Sequence, residues 1–143
     1  KFWQLNQVKS GLITPEQLAN TITKRRIDWL KINHKNMLEK YKNLSIVEAA
    51  YHIIFFEHMH INPAFSKMTR ISPTKIMIAS YNFCPYLESC NQLELDTRII
   101  CKKVGEPSLK EMAEQIHCNI KFSRDYEHIR PNAPFCKEFI ELV

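Results

Sequence analysis

From Leu18 to Tyr41 the apolar residues Leu18, Ile22, Trp29, Leu30, Met37, Leu38 and Tyr41 recur roughly every three or four positions, with Lys and Arg between them. That spacing predicts one long helix with a single buried stripe. Its start is marked by Thr14-Pro15-Glu16-Gln17: Thr14 can cap, Pro15 suits the first helical position, and Gln17 completes a capping box. The end is expected near Tyr41 to Asn43. Ser45 and Glu48 form a second capping-box pair and open a helix from Ile46 to about His58, apolar on nearly all sides and therefore expected to be central and buried. Asn62-Pro63 ends it, because the residue before a proline is pushed out of the α region. Ala64 to Arg70 then reads as a connector.

Further on the period changes. Lys75 to Phe83 is short, β-branched and aromatic, which favours a strand. Ile76, Ile78, Ser80 and Asn82 face one way along it, and Met77, Ala79, Tyr81 and Phe83 the other. Short helices are expected over Pro85 to about Leu93 and, capped by Asp96 or Thr97, over Arg98 to Val104, where Gly105-Glu106-Pro107 stops the second. Another helix follows from Ser108 to about Ile116. Cys118 to Tyr126 alternates as a half-buried strand, and Phe135 to Leu142 returns as a last one after the turn Arg130-Pro131-Asn132-Ala133-Pro134. The pattern as a whole predicts an α+β fold, with N-terminal helices packed on a small antiparallel sheet and further helices interspersed. Residues 1–70 would form the helical layer and 71–143 a cysteine-containing α+β part, integrated as one domain.

Composition narrows the function classes. The chain has 143 residues, 45% hydrophobic and 24% charged, which suits one ordinary globular domain. No apolar run approaches the roughly 20 residues of a membrane span. Residues 1–6 hold neither a signal-peptide core nor an initiator methionine, so the chain is expected to begin inside a longer or processed one. The net charge is +5, but no aromatic-basic motif or zinc-finger spacing accompanies the basic cluster around Lys24-Arg25-Arg26, which reads as a solvated helix face; nucleic acid is disfavoured as a partner. With two glycines in all, a Gly-rich nucleotide loop is excluded. The five cysteines are an odd number and point to free thiols in a reducing, cytoplasmic setting.

Among those thiols Cys84 stands out. It ends a strand and precedes Pro85, and a cysteine at a helix N-terminus sits among unsatisfied N–H groups that favour a thiolate. It is a candidate nucleophile, with Glu88 or His58 to move the proton, while a buried, inert thiol is the alternative reading. Asp96 and Glu138 are further candidate acids. Arg98, Arg124 and Arg130 can hold a substrate carboxylate through paired N–H donors, or simply pair with nearby acids. If the strands form one sheet, Cys84, Cys101 and Cys136 can converge, on a substrate or on a metal ion. The six-residue step from Cys84 to Cys90 is not a zinc knuckle, and His52, His58 and His60 lack the spacing of two ligands on one helical face.

The series Cys84-Pro85-Tyr86, Glu88, Cys101, Arg124 and Cys136, with its flanking strand and helix pattern, resembles the L-2-amino-thiazoline-4-carboxylic acid hydrolase family over roughly residues 71–143. Pro134-Phe135 and Lys137 flank Cys136 where that family tends to carry glycine before and aspartate after. The resemblance implies an α+β fold and ring-opening hydrolysis of a cyclic, amidine-like thiazoline. Cys84 would attack the amidine carbon and Arg124 or Arg130 would orient the carboxylate. Tyr86, Cys101, Cys136, Asp96 and Arg98 complete the expected site. No cofactor is required for such a reaction, and the expected partner is a small carboxylated molecule. Two alternatives remain beside it: a sensor domain whose same cysteines bind a small molecule or metal without turnover, and an interaction module whose basic helix, 15–42, docks an acidic partner.

Overall fold

Thr14 accepts a hydrogen bond from the Gln17 backbone N–H at 3.0 Å, and the Gln17 side chain accepts one from the Thr14 N–H at 2.8 Å. This closed capping box starts the long helix in the computed structural model, which describes residues 1–143. The helices are α1 (Phe2–Lys9), α2 (Pro15–Lys40), α3 (Ile46–Tyr51), α4 (Pro85–Leu93), α5 (Thr97–Ile100) and α6 (Glu106–Ile116). The strands are β1 (Ser66–Ser72), β2 (Lys75–Ser80), β3 (Ile120–Asp125) and β4 (Cys136–Leu142). Helix α3 continues into a π-helical stretch, His52–His58, and a second one, Cys101–Gly105, joins α5 to α6. No helix is long and apolar enough to cross a membrane.

The four strands form one antiparallel sheet in the order β1-β2-β4-β3, and the fold is α+β. Residues directly opposite each other share a face, so Ile76, Ile78, Ile120, Phe122 and Ile140 lie together on the covered face. They join α3, α6 and the second half of α2 in the larger core through Ala50, Ile53, Phe55, Leu109, Met112 and Leu30. The other face carries Lys121, Lys137 and Glu141 around Phe139. A smaller core packs α1, the first half of α2, α4 and the α5 segment through Leu5, Leu18, Ile22, Tyr86, Cys90, Ile100 and Val104. Helix α2 contributes to both.

Four expectations need correction. Residues expected as a connector contain β1, which runs through 66–72 and so spans the 70/71 boundary; as an edge strand rich in Lys, Thr and Arg it lacks the apolar alternation of a central one. Gly105-Glu106-Pro107 does not stop a helix. The π-helical stretch, whose bonds run to the fifth residue, leads directly into α6, and Pro107, which has no N–H to donate, stands in the first turn of that helix, where no intrahelical bond is lost. Ser45 accepts from the Glu48 N–H, but the capping box does not close, because the Glu48 carboxylate takes two donors from Arg70 of β1. The strand before Cys84 ends at Ser80 rather than Phe83. Helix α1 carries no motif that the sequence reading used.

Candidate functional site

The covered face of the sheet changes character along its length. At one end Ile76, Ile140 and Phe122 are register partners in three neighbouring strands. Two to four residues further along, the same alternation delivers Ser80 opposite Cys136 and Arg124 opposite Glu138. The polar end is a connected network. Glu138 accepts from Ser80 Oγ at 2.8 Å and from Arg124 Nη2 at 2.9 Å, with side chains only 5% and 11% exposed for Glu138 and Arg124. Burial alone would lower the Arg124 pKa, but the carboxylate of Glu138 outweighs it and holds the guanidinium above its ordinary value. Beside it, Arg130 donates its backbone N–H and its Nε–H to Cys136 Sγ, at 3.5 and 3.4 Å, and Nη1 donates to the Asn82 carbonyl at 2.6 Å.

This polar end is the floor of a cavity of about 640 Å³, the size of a small-molecule site. Both π-helical stretches reach its walls: the first contributes Phe55 and His58, the second Cys101 and Gly105. Such widened turns recur at functional sites because they displace side chains from the regular helical register. The loop after β2 supplies Asn82, Phe83 and Cys84, and α4 supplies Pro85 and Tyr86. Cys84 occupies the N-cap position of α4 but makes no capping bond, so its thiol is not committed to the helix. From the N-terminal layer come Lys1, Arg25 and Arg26.

The electrostatics are one-sided. Lys1, Arg25, Arg26, Arg124 and Arg130 line the cavity against one carboxylate, Glu138, which is already paired with Arg124. Burial, reinforced by Arg26 and other cations, depresses the His58 pKa to about 4, so its imidazole is neutral at pH 7. Its Nδ1 is buried without a hydrogen-bond partner, and its ring lies 4.6 Å from that of Trp29, centroid to centroid. Burial, with Arg26 and Arg25, lowers Lys1 to about 8, while its Nζ donates to the Tyr86 hydroxyl at 3.1 Å. Burial also raises Tyr86 and Cys101 to about 12, which keeps phenol and thiol neutral.

No protein-family model, curated protein or solved structure matches the chain. Of the expected residues, Cys84, His58, Tyr86, Cys101, Arg124, Arg130 and Cys136 line this one cavity. Glu88, Asp96 and Arg98 do not. Glu88 is exposed and accepts from Gln92 at 3.0 Å, because the helical rotation of α4 buries Tyr86, Ser89, Cys90 and Leu93 and turns Glu88 outward. Asp96 caps α5 through the Arg98 N–H at 2.9 Å and pairs with the Arg98 side chain, both exposed. No group of three His, Cys, Asp or Glu side chains is placed to hold a metal ion, so Cys84, Cys101 and Cys136 share a wall without forming a ligand set. Arg26 was missed. Its signal was available: Leu18, Ile22, Arg26 and Leu30 are spaced by four, so Arg26 occupies a place in the apolar stripe of α2.

Proposed function

We propose that the chain is a cysteine-dependent hydrolase acting on a C–N bond of a small carboxylated ring or amide, with this cavity as its substrate site. The observation that carries the reading is the meeting, in one cationic cavity, of an uncommitted thiol at a helix N-terminus and a half-buried neutral imidazole. The reaction type follows from the resemblance to L-2-amino-thiazoline-4-carboxylic acid hydrolases. His58 takes the Cys84 proton as the sulfur bonds to the electrophilic carbon. The C–N bond then breaks, and the nitrogen leaves with the proton from His58. Water, deprotonated by His58, attacks the same carbon and displaces sulfur, which regains its proton. Cys84 is taken as the nucleophile because it stands at the N-terminus of α4, whereas Cys101 is held neutral by burial.

Turnover of 2-aminothiazoline-4-carboxylate by the wild type and by Cys84→Ala tests the reading. The variant should lose at least about 10³-fold in kcat/KM, and intact mass spectrometry of the wild type should reveal an adduct on Cys84. Equal turnover by both proteins removes Cys84 from the chemistry. Saturable binding of the thiazoline without turnover in either protein makes the cavity the ligand site of a sensor domain, the second reading of the same thiols.

A further inference from the structure

The arginines singled out from the sequence as carboxylate holders are largely committed. Arg124 is neutralised by Glu138, and Arg130 is held by Asn82 and Cys136. The remaining buried guanidinium is different. Arg26 lines the cavity, yet its Nε and Nη1 are buried with no hydrogen-bond partner, and no carboxylate lies within ion-pair distance of it, of Arg25 or of Lys1. The Tyr86 hydroxyl is the polar partner of this guanidinium, and a largely buried cation with no anion beside it and two donors unmet is costly to a fold unless something supplies the missing charge. A second group repeats the sign: His58, on the facing π-helical stretch, has a buried and unpartnered Nδ1 in the same cavity. Arg26 also interrupts an apolar stripe, between Ile22 and Leu30, both at most 2% exposed. A leucine or methionine there would have extended the packing; the arginine instead brings a positive charge to the cavity wall.

The geometry points to an oxyanion subsite formed by Arg26 with Lys1 and Arg25, so that the ligand of this cavity is a small dianion with one acidic group seated on Arg26. Two negative charges follow from the inventory. Arg25 is exposed to solvent, but with Arg124 and Glu138 cancelling each other, Lys1, Arg26 and Arg130 stay without a carboxylate in the cavity, which is more positive charge than one carboxylate offsets. The subsite rests on the cavity being the ligand site, as proposed above, but not on hydrolysis. It lies on α2, outside the stretch that resembles the thiazoline hydrolases. A thiazoline monocarboxylate would leave it partly unfilled, so the substrate that fits carries a second acidic group, a carboxylate or a phosphate.

Calorimetric titration of the intact chain with malonate, inorganic phosphate and acetate, at fixed ionic strength set by chloride, tests the subsite. Malonate and phosphate should bind saturably, and acetate at least about tenfold more weakly. Arg26→Gln should weaken the dianions by at least about tenfold, Arg26→Lys should restore part of the loss, and the exposed neighbour change Lys24→Gln should leave binding as in the wild type. Without ligand, Arg26→Gln should melt no lower than the wild type, since it removes an unpaired charge. Dianion binding unchanged in Arg26→Gln, acetate binding as tight as malonate, or no saturable binding of any of the three would overturn the proposal. Dianion binding kept in Cys84→Ala, with no turnover in either protein, would sink the hydrolase reading and leave the subsite standing.

Discussion

At the scale of single residues, His58 has the plainest consequence. Its imidazole is neutral because burial and Arg26 penalise the cation, and this depresses its pKa from 6.5 to about 4. The sign for stability follows from the same shift. In the unfolded chain the imidazole gains its proton near pH 6.5, whereas the fold resists protonation until about pH 4. Its contribution is fully present above 6.5 and is lost as the pH falls through that interval. His58→Gln should flatten the part of the acid destabilisation between pH 6.5 and 4, measured as the difference between urea midpoints of wild type and variant; His52, also lowered by burial, remains in both proteins and cancels. For the catalytic role, the acid limb of kcat/KM should fall near pH 4 rather than near 6.5. A limb at the ordinary histidine value would assign the proton transfer to another group.

At the scale of elements, the two π-helical stretches are where local sequence and final conformation part. A capping residue, an apolar periodicity and a proline specify where helices start and stop, and α2 and α4 obey them. His52–His58 and Cys101–Gly105 keep the helical direction but shift the hydrogen-bond register, and that shift accompanies the placing of His58 and Cys101 on the cavity wall. Gly105 ends the second stretch in an ordinary right-handed helical conformation, and a methyl group there would meet no atom within 4 Å. Gly105→Ala should therefore stabilise the protein by about 0.5–1 kcal/mol through the reduced freedom of the unfolded chain. Because residue 105 lines the cavity, the added methyl is also expected to trim its volume. A lowered melting temperature in this variant would show that the stretch needs glycine for backbone reasons.

At the scale of the whole molecule, α2 ties the two cores together, with Leu18 and Ile22 in the smaller and Leu30 in the larger. The cavity takes its walls from both, through Tyr86 on one side and Phe55 and Leu109 on the other. A shared rigid helix predicts one cooperative unit. Ile22→Ala, at a fully buried site of the smaller core, should cost about 2–4 kcal/mol and still unfold in a single transition that circular dichroism and tryptophan fluorescence follow together. Two separated transitions would mean that the helical layer and the sheet unfold independently.

The sequence by itself determined what depends on neighbours along the chain. The Thr14–Gln17 box, the apolar spacing of α2, the alternation of β2, β3 and β4, and the Cys84-Pro85 helix start are all local, and each stands at its place in the structure. Several of the reactive side chains that line the candidate cavity were also legible as residue types, Cys84, His58, Arg124, Arg130 and Cys136 among them. Their grouping was not. It depends on strand register, which sets Arg124 opposite Glu138 and so neutralises an arginine that the sequence offered as a free carboxylate holder. It depends equally on helical rotation, which turns Glu88 to solvent and Arg26 inward. Charge and proton affinity followed the same division: the sequence supplied the ionisable groups, whereas burial and the nearest charges, which exist only once α2, the π-helical stretches and the sheet are packed together, decided which of them are neutral, paired or unmet.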